Sequence, residues 1–353
     1  MRRRRLWIAI LLLVVVAAIG SLVLLRRHAA PEAVRLLPEA DAVLYVDLGL
    51  IRLGTAVPQI PEVHREPDYE AFVHETGFEF EKDLDELALA VHSVPLPPPQ
   101  PGTPSANPPL PYRTSEIFVG HFQSERVSAY LKKLATSTDR HGDSDIYSIP
   151  HEGRTVRVCL LGVDMVAVSN ADDPQVIRGM IDRYRSLARP AGGPTLVSEN
   201  YARVPLGSVA WMIGRIPART TGHSGMPDAM GMAQQMAGGS TVVGSVRYTG
   251  SIQFRVEAIT ASAQEAKQLS DSLSALLALF RGAGSSVQGE GPDPDVKAFF
   301  DSIETHTEEQ SMVVTATLAP RAIQKVLAQP PASPTPPPVV PEKKKPAPRR
   351  GTK

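Results

Sequence analysis

A run of twenty residues without a charge, from Leu6 to Leu25, constrains this chain more than any other feature. As a helix, it would rise about 1.5 Å per residue and span about 30 Å, the thickness of the hydrocarbon layer of a bilayer. Trp7 lies where an interfacial aromatic residue would lie. The sequence therefore predicts a transmembrane helix or signal-anchor within residues 1–28, with the lipid bilayer as partner of residues 6–25.

The charges on either side of this segment predict its orientation. Four arginines, residues 2–5, precede it, whereas Arg26 and Arg27 follow it. The positive-inside rule favours a single-pass protein of the inner (cytoplasmic) membrane, with a cytoplasmic N-terminus and an exported, periplasmic or extracytoplasmic, body. A cleaved signal peptide is the alternative, with a small-x-small site at residues 18–20. The residues after that site are still apolar, which favours retention of the helix.

Composition excludes several classes of function. Lys+Arg and Asp+Glu both number 37, so the whole chain lacks the basic field that nucleic-acid binding requires, and no nucleic-acid partner is expected. The single cysteine, Cys159, can form neither an internal disulfide nor a cysteine zinc site. Its apolar neighbours indicate a buried, inert thiol in a strand.

Two stretches with nine prolines each interrupt the regular patterns, residues 94–112 and residues 329–353. Proline lacks the N–H donor that sheets and helices need. The first stretch is predicted to be a Pro-rich loop and the second a disordered Pro/Lys/Arg-rich tail. The basic end of the tail is a candidate contact for an anionic surface or for an envelope protein partner.

The remaining residues predict an α+β fold with mostly antiparallel sheets and helices packed on one side. We expect a first α+β lobe over residues 29–190 and a second over residues 195–328. Hairpins are frequent and crossover units are not evident, which favours antiparallel pairing. The pattern of residues 116–134 aligns without gaps on a second strand–helix unit that begins at Met312, and prolines precede strands at both Pro38 and Pro205. These matches are compatible with two degenerate repeats.

Local signals place several elements within these lobes. Residues 42–48 read as a strand, and residues 69–76 as a short helix that Gly77 ends. Ser124 is predicted to cap an amphipathic helix with Val127, Tyr130, Leu131 and Leu134 on its apolar face.

The stretch of residues 36–92 resembles a group of uncharacterised bacterial exported proteins with an N-terminal anchor, a domain of unknown function. The resemblance rests on the strand led by Pro38 and on Thr76-Gly77-Phe78, which runs into Asp83-Leu84-Asp85. It implies an exported location and this architecture, and it brings no known activity.

No short motif assigns a catalytic chemistry. GxSxG, SxxK, GxxxxGK and HExxH are all absent from the sequence. An exported hydrolase with dispersed residues, such as Asp83, His141 and Ser224, stays an alternative. The carboxylates at positions 79, 81, 83, 85 and 86 read as a solvated acidic face. Residues 139–145 read as a polar turn between a helix and a strand, because the register of a calcium loop does not fit.

The segment 226–236 contains four of the nine methionines of the chain: Met226, Met230, Met232 and Met236. Thioethers are soft ligands suited to Cu(I), and His223 lies nearby in the sequence. Methionine also gives an adaptable apolar surface for a partner or a lipid. A loop or short helix that covers the sheet is the simpler interpretation. A metal- or lipid-binding module is therefore a second alternative, and the favoured prediction is a non-catalytic binding or scaffolding protein without a cofactor.

Overall fold

A computed structural model describes residues 29–53, 67–93, 112–186, 192–216, 238–283 and 294–319 of the 353-residue chain. Across these described ranges, no helix combines the length and the apolar character that crossing a membrane requires. The predicted transmembrane helix, with Leu6, Trp7 and Leu25, lies outside the described residues. So do the loop at residues 94–111, the segment of residues 217–237 with its four methionines and His223, and the tail.

The described residues form twelve strands. They are β1 (Ala42–Asp47), β2 (Leu84–Ser93), β3 (Tyr112–Gly120), β4 (Ser137–His141), β5 (Ser144–His151), β6 (Arg154–Leu161), β7 (Met165–Ser169), β8 (Ser208–Arg215), β9 (Thr241–Tyr248), β10 (Ile252–Ile259), β11 (Glu304–Glu308) and β12 (Ser311–Leu318).

The described residues also form nine α-helices and one short 3₁₀ turn. The helices are α1 (Glu32–Leu36), α2 (Leu48–Leu53), α3 (Pro67–Thr76), α4 (Phe80–Asp83), α5 (Ser124–Leu134), α6 (Gln175–Arg185), α7 (Thr195–Asn200), α8 (Ala263–Ala283) and α9 (Pro294–Asp301), and the 3₁₀ turn is Tyr201–Arg203.

All twelve strands join one sheet in the order β11-β12-β10-β9-β8-β1-β2-β3-β7-β6-β5-β4. Every neighbouring pair is antiparallel. The predicted α+β class with antiparallel pairing is confirmed. Residues 29–190 supply β1–β7 and residues 195–328 supply β8–β12, so both predicted regions contribute to the same sheet.

The two halves of the sheet follow the same strand order. In the first half, β1, β2 and β3 form a meander, and the last strand, β7, returns to pair with β3. In the second half, β8, β9 and β10 form a meander, and the last strand, β12, returns to pair with β10. The first strands of the two halves, β1 and β8, pair with each other at the centre. In this order the counterpart of β3 is β10, whereas the sequence alignment had matched β3 with β12.

Helices cover both faces of the sheet, so the prediction that they pack on one side is wrong. In β6, Cys159 joins the main core with Ile177 of α6, whereas its neighbour Val158 packs with Val127 and Leu131 of α5. Successive strand residues point to opposite faces. Because adjacent residues of β6 are both apolar, each face of the strand needs its own cover.

The first strand gives names to the two ends of the sheet. The Asp47 end is where β1 ends, and the Ala42 end is where β1 begins. Antiparallel pairing places the starts of β2 and β8 and the ends of β3 and β12 at the Asp47 end. The hairpin between β6 and β7 also lies there, because Gly120 N–H donates to the carbonyl oxygen of Asp164.

Several local predictions are confirmed and two are wrong. β1 and α3 form as predicted, and α3 ends at Gly77, which has φ +72°. The helix α5 buries Val127 and Leu131 and partly buries Tyr130, but Leu134 is 41% exposed because it lies at the end of the helix. However, Ser124 is the first helical residue and not the cap, since Gln123 precedes the helix without a capping side-chain hydrogen bond.

The outer strands of the sheet, β4 and β11, are short and polar. Each contains five residues, with the sequences STDRH and ETHTE. Most of these side chains are exposed.

Candidate functional site at the Asp47 end of the sheet

An aromatic pair lies at the junction of the two halves of the sheet. Tyr45 in β1 and Trp211 in β8 are direct cross-strand partners. Their rings stack with a centroid distance of 5.5 Å and an interplanar angle of 27°. Both side chains face the main core, where their exposed fractions are 5% and 2%. Large rings at a directly opposed pair of positions stabilise the pairing of β1 with β8.

The 3₁₀ turn that precedes β8 adds a third ring and a small cavity. Tyr201 packs against Trp211 edge to face, with 5.3 Å between ring centroids. The cavity beside these two rings has a volume of about 60 Å³. Its other walls come from the loop that leads into β8: Ala202, Val204, Pro205, Leu206, Gly207 and Ser208. Among the described residues, the buried Nε1 of Trp211 has no hydrogen-bond acceptor.

Acidic side chains border the aromatic pair. Asp47 and Glu86 are cross-strand partners at the ends of β1 and β2. Burial is the main cause that raises the pKa of Glu86, and the negative charges of Asp47, Asp85 and Glu32 raise it further. A hydrogen bond with the phenol of Tyr45 acts in the opposite direction. The uncharged form of Glu86 is thus favoured to a higher pH than for a carboxyl in water.

The two phenols of this site are held in their neutral form. Burial, followed by the negative charges of Glu86 and Asp47, raises the pKa of Tyr45 far above its ordinary value. Burial also raises the pKa of Tyr201. Neutral phenols donate and accept hydrogen bonds but do not act as bases near neutral pH. Chemically, the site offers aromatic surface and neutral hydrogen-bonding groups.

A charged cluster lies beside the site at the same end. Arg52 of α2 forms an ion pair with Asp85 and donates to the carbonyl oxygen of Leu84 at 2.6 Å. His121 Nδ1 lies 3.4 Å from Asp85 Oδ2. These contacts fasten α2 to the start of β2.

The predicted acidic face is divided among several roles. Tyr69 donates to Glu81 at 2.5 Å, and Asp83 accepts from the backbone N–H of Glu79 at 2.8 Å. Asp85 pairs with Arg52. Burial raises the pKa of Glu86, and sequence reasoning, which included Glu86 in a solvated face, did not predict this burial. Successive residues of a strand face opposite sides of the sheet. Since Asp85 and Glu86 are neighbours in β2, this alternation was the one sequence signal that they lie in different environments.

The residues of the hydrolase alternative do not converge in the described part of the chain. Asp83 precedes β2, whereas His141 ends the outer strand β4, five strand spacings away, or about 24 Å. His141 Nε2 lies 2.8 Å from Asp182 Oδ1 in α6. Ser224 lies outside the described residues.

The segment 139–145 forms the hairpin between β4 and β5, so it joins two strands rather than a helix and a strand. Within the described ranges, no group of three or more histidine, cysteine, aspartate or glutamate side chains is placed to hold a metal ion. Met226, Met230, Met232, Met236 and His223 lie outside those ranges.

The single thiol of the chain has no reactive surroundings. Burial raises the pKa of Cys159 to about 11, in keeping with the predicted inert side chain.

A chain of hydrogen bonds connects polar side chains of β2, β3 and β7. His92 Nε2 lies 3.1 Å from Ser115 Oγ, which lies 2.9 Å from Ser169 Oγ. Ser115 is fully buried, so this chain of hydroxyls satisfies polar groups inside the core.

Comparison with known proteins does not assign a family. No protein-family model matches the chain, and no curated protein matches its sequence. Among solved structures, the chain is similar to crystal form III of TP0453, with 10% identity, a TM-score of 0.41, and coverage of 85% of this chain and 99% of that one. Crystal form I of the same protein gives 10% identity, a TM-score of 0.42, and coverage of 85% and 97%.

Proposed function

We propose that the protein is a single-pass membrane protein whose exported body is a non-catalytic binding or scaffolding module held at the membrane surface. One observation carries the proposal. Ala30 already packs against the main core, and Ala33 and Val34 are fully buried. The uncharged run ends at Leu25, so four residues separate it from the folded body.

The small number of residues between the hydrophobic run and the body supports a position next to the bilayer. Four residues, 26–29, reach at most about 14 Å when fully extended. A folded sheet on such a tether stays at the membrane surface. The arginine excess before the hydrophobic run supports an exported body, by the positive-inside rule.

Binding is favoured over catalysis by the chemistry of the Asp47 end. Burial raises the pKa values of the Tyr45 and Tyr201 phenols, so both stay in their neutral forms. Neutral phenols beside stacked rings suit recognition by packing and hydrogen bonding.

The matched strand order of the two halves supports an origin by duplication. β1 and β8 occupy equivalent places in their halves and pair antiparallel at the centre. Such pairing is the one expected if the repeats are related by a two-fold axis between these strands. Pro38 and Pro205, which precede the two strands, are equivalent in this arrangement.

Extraction and topology experiments on the full chain test the proposal. We expect the protein to stay in the membrane pellet at alkaline pH, to retain residues 1–28 by mass, and to activate only an export-dependent reporter fused after Lys353. Val15→Arg places a charge at the centre of the span, where it costs about 2.5–3.5 kcal/mol of insertion free energy, and is expected to reduce the pelleted fraction. Val15→Leu is the matched control. A reporter active only in the cytosol, or a soluble protein that lacks residues 1–20, would contradict the proposal.

A further inference from the structure

Several of the exposed large apolar side chains of the described residues lie at the Asp47 end of the sheet. Leu53 is 85% exposed, Val163 76%, Leu206 51% and Leu50 45%. They belong to three separate segments: α2, the hairpin between β6 and β7, and the loop before β8. Near the Ala42 end, the exposed large apolar side chains of the described residues are Tyr112 and Leu134, at 41% each. Apolar surface of this kind marks an interaction site when it is gathered on one side of a molecule.

The described chain begins with α1, whose residues Ala33, Val34 and Leu36 are buried in the main core. The charge of Glu32, the first residue of α1, reaches Glu86, which is paired with Asp47, and raises its pKa. From there, α1 leads toward Pro38 and the start of β1 at Ala42. The first residue of α1 thus lies within electrostatic reach of the Asp47 end.

The chain also leaves the sheet at this end. Leu318, the last residue of β12, pairs with Ile252, which in turn pairs with Tyr248 beside the start of β8. The residues beyond include a run of six basic side chains and a single acidic one: Lys343, Lys344, Lys345, Arg349, Arg350, Lys353 and Glu342. Clusters of four or more basic residues near a membrane favour contact with anionic headgroups.

We propose that the Asp47 end of the sheet is a membrane-docking surface, with Leu50, Leu53, Val163 and Leu206 in contact with the bilayer that holds the N-terminal segment. This inference rests on the proposed membrane anchoring. Three observations point to one occupant: the first residue of α1 lies within electrostatic reach of this end, β12 ends here on the way to the basic tail, and exposed apolar side chains of three segments lie here.

One acidic group of this end, Asp85, is paired with Arg52. In the sequence, Arg26 and Arg27 also precede Glu32 by a few residues. The flanks of the methionine segment, at Ile216 and residue 238, lie at the Ala42 end, because Arg215 N–H donates to the carbonyl oxygen of Asp41. That end faces away from the bilayer and is the side open to other proteins.

Single-cysteine labelling of the full chain tests the docking surface. Cys159 is fully buried with a pKa of about 11, so the unmodified protein is the labelling blank. Leu53→Cys and Val163→Cys probe the Asp47 end, and Leu134→Cys, at the far end of α5, is the matched control. Each variant is labelled with bimane and reconstituted in phosphatidylcholine vesicles with and without anionic lipid, and with brominated acyl chains as quencher.

We expect labels at positions 53 and 163 to shift to shorter wavelength and to lose most of their emission to the brominated lipid, and the label at position 134 to do neither. If both labels stay exposed to water while the protein resists alkaline extraction, the proposed docking surface is wrong. The proposed N-terminal anchor would not be contradicted by that result. Loss of the protein from the vesicles altogether would instead contradict the anchor. Far-UV circular dichroism checks that each variant is folded. Because the side chains of Leu53 and Val163 are both largely exposed, one labelled variant is sufficient for the test if the other misfolds.

Discussion

The rings of Tyr45 and Trp211 stack across the β1–β8 pair, and no other strand pair joins the two halves of the sheet as the structure describes it. Trp211 is 2% exposed, and Tyr201 packs against it edge to face. This stack therefore lies where the two meanders depend on each other. It is the place at which a side-chain truncation should affect the whole sheet.

Trp211→Ala should lower the free energy of unfolding by about 3–5 kcal/mol, the usual cost of removing a large buried ring. The measurement is chemical denaturation of the full chain in detergent micelles. Leu279→Ala, at a position that is 70% exposed, is the control and should stay within about 0.5 kcal/mol of the unmodified protein. Similar stabilities for the two variants would show that the stack does not hold the halves together.

Glu86→Gln should change how stability depends on pH. Because burial raises the pKa of Glu86 in the folded protein, the folded state binds more protons than the unfolded state between the two pKa values. The free energy of unfolding then falls as pH rises through that window. Glutamine removes this contribution, so we expect a flatter profile and higher relative stability above the window.

Glu308→Gln is the comparison of opposite sign. A hydrogen bond with His306, followed by the charge of Arg255, lowers the pKa of Glu308. Its contribution is present above the ordinary carboxyl pKa and is lost as pH falls through the folded pKa. Denaturation at a series of pH values checks both variants. Identical slopes for Glu86→Gln and the unmodified protein would contradict the assignment.

Glu257→Gln should destabilise the second half of the sheet. The side chain of Glu257 is 4% exposed and accepts from both Arg203 and Arg255. Hydrogen bonds between charged groups contribute about 1.5–3 kcal/mol each, and the partial exposure of both arginines places the expected loss at the lower end of that range. Asp271→Asn breaks the exposed pair with Lys267 and should cost at most about 0.5 kcal/mol. Equal losses in thermal denaturation would count against a buried network.

Gly120→Ala should destabilise the protein because a Cβ at this position would lie 2.3 Å from the backbone oxygen of Asp83. A backbone atom cannot rotate away, so the start of β2 must shift, at a cost of about 1–3 kcal/mol. Gly179→Ala in α6 is the control, since its Cβ would meet only Arg183 at 3.5 Å. There, the higher helix propensity of alanine should add up to about 1 kcal/mol. A rise in melting temperature for both variants would refute the close approach.

Period-two patterns predicted β1 and the antiparallel class, and Gly77 predicted the end of α3, whereas the hairpin between β4 and β5 was not predicted. They could not give strand order, because alternation says which face a residue occupies and not which strand lies beside it. The return of β7 to β3 and of β12 to β10 depends on packing over long separations. The apolar neighbours Val158 and Cys159 did hint at two covered faces, but the prediction placed all helices on one.

The candidate site was less accessible to sequence reasoning. Its members come from α1, β1, β2, β8 and the turn before β8, and no short motif connects them. The raised pKa of Glu86 arises from burial and from Asp47, Asp85 and Glu32. Asp47 and Glu32 become neighbours of Glu86 only after the strands pair and α1 folds across them.

The outer strands β4 and β11 have a consequence for how copies of this protein coexist. A long, flat, apolar rim would recruit strands from neighbouring molecules. Each rim of the described sheet is instead a five-residue strand of mostly polar and charged side chains, which is a poor template for pairing. We therefore expect two copies of the protein that meet rim to rim not to extend each other's sheets.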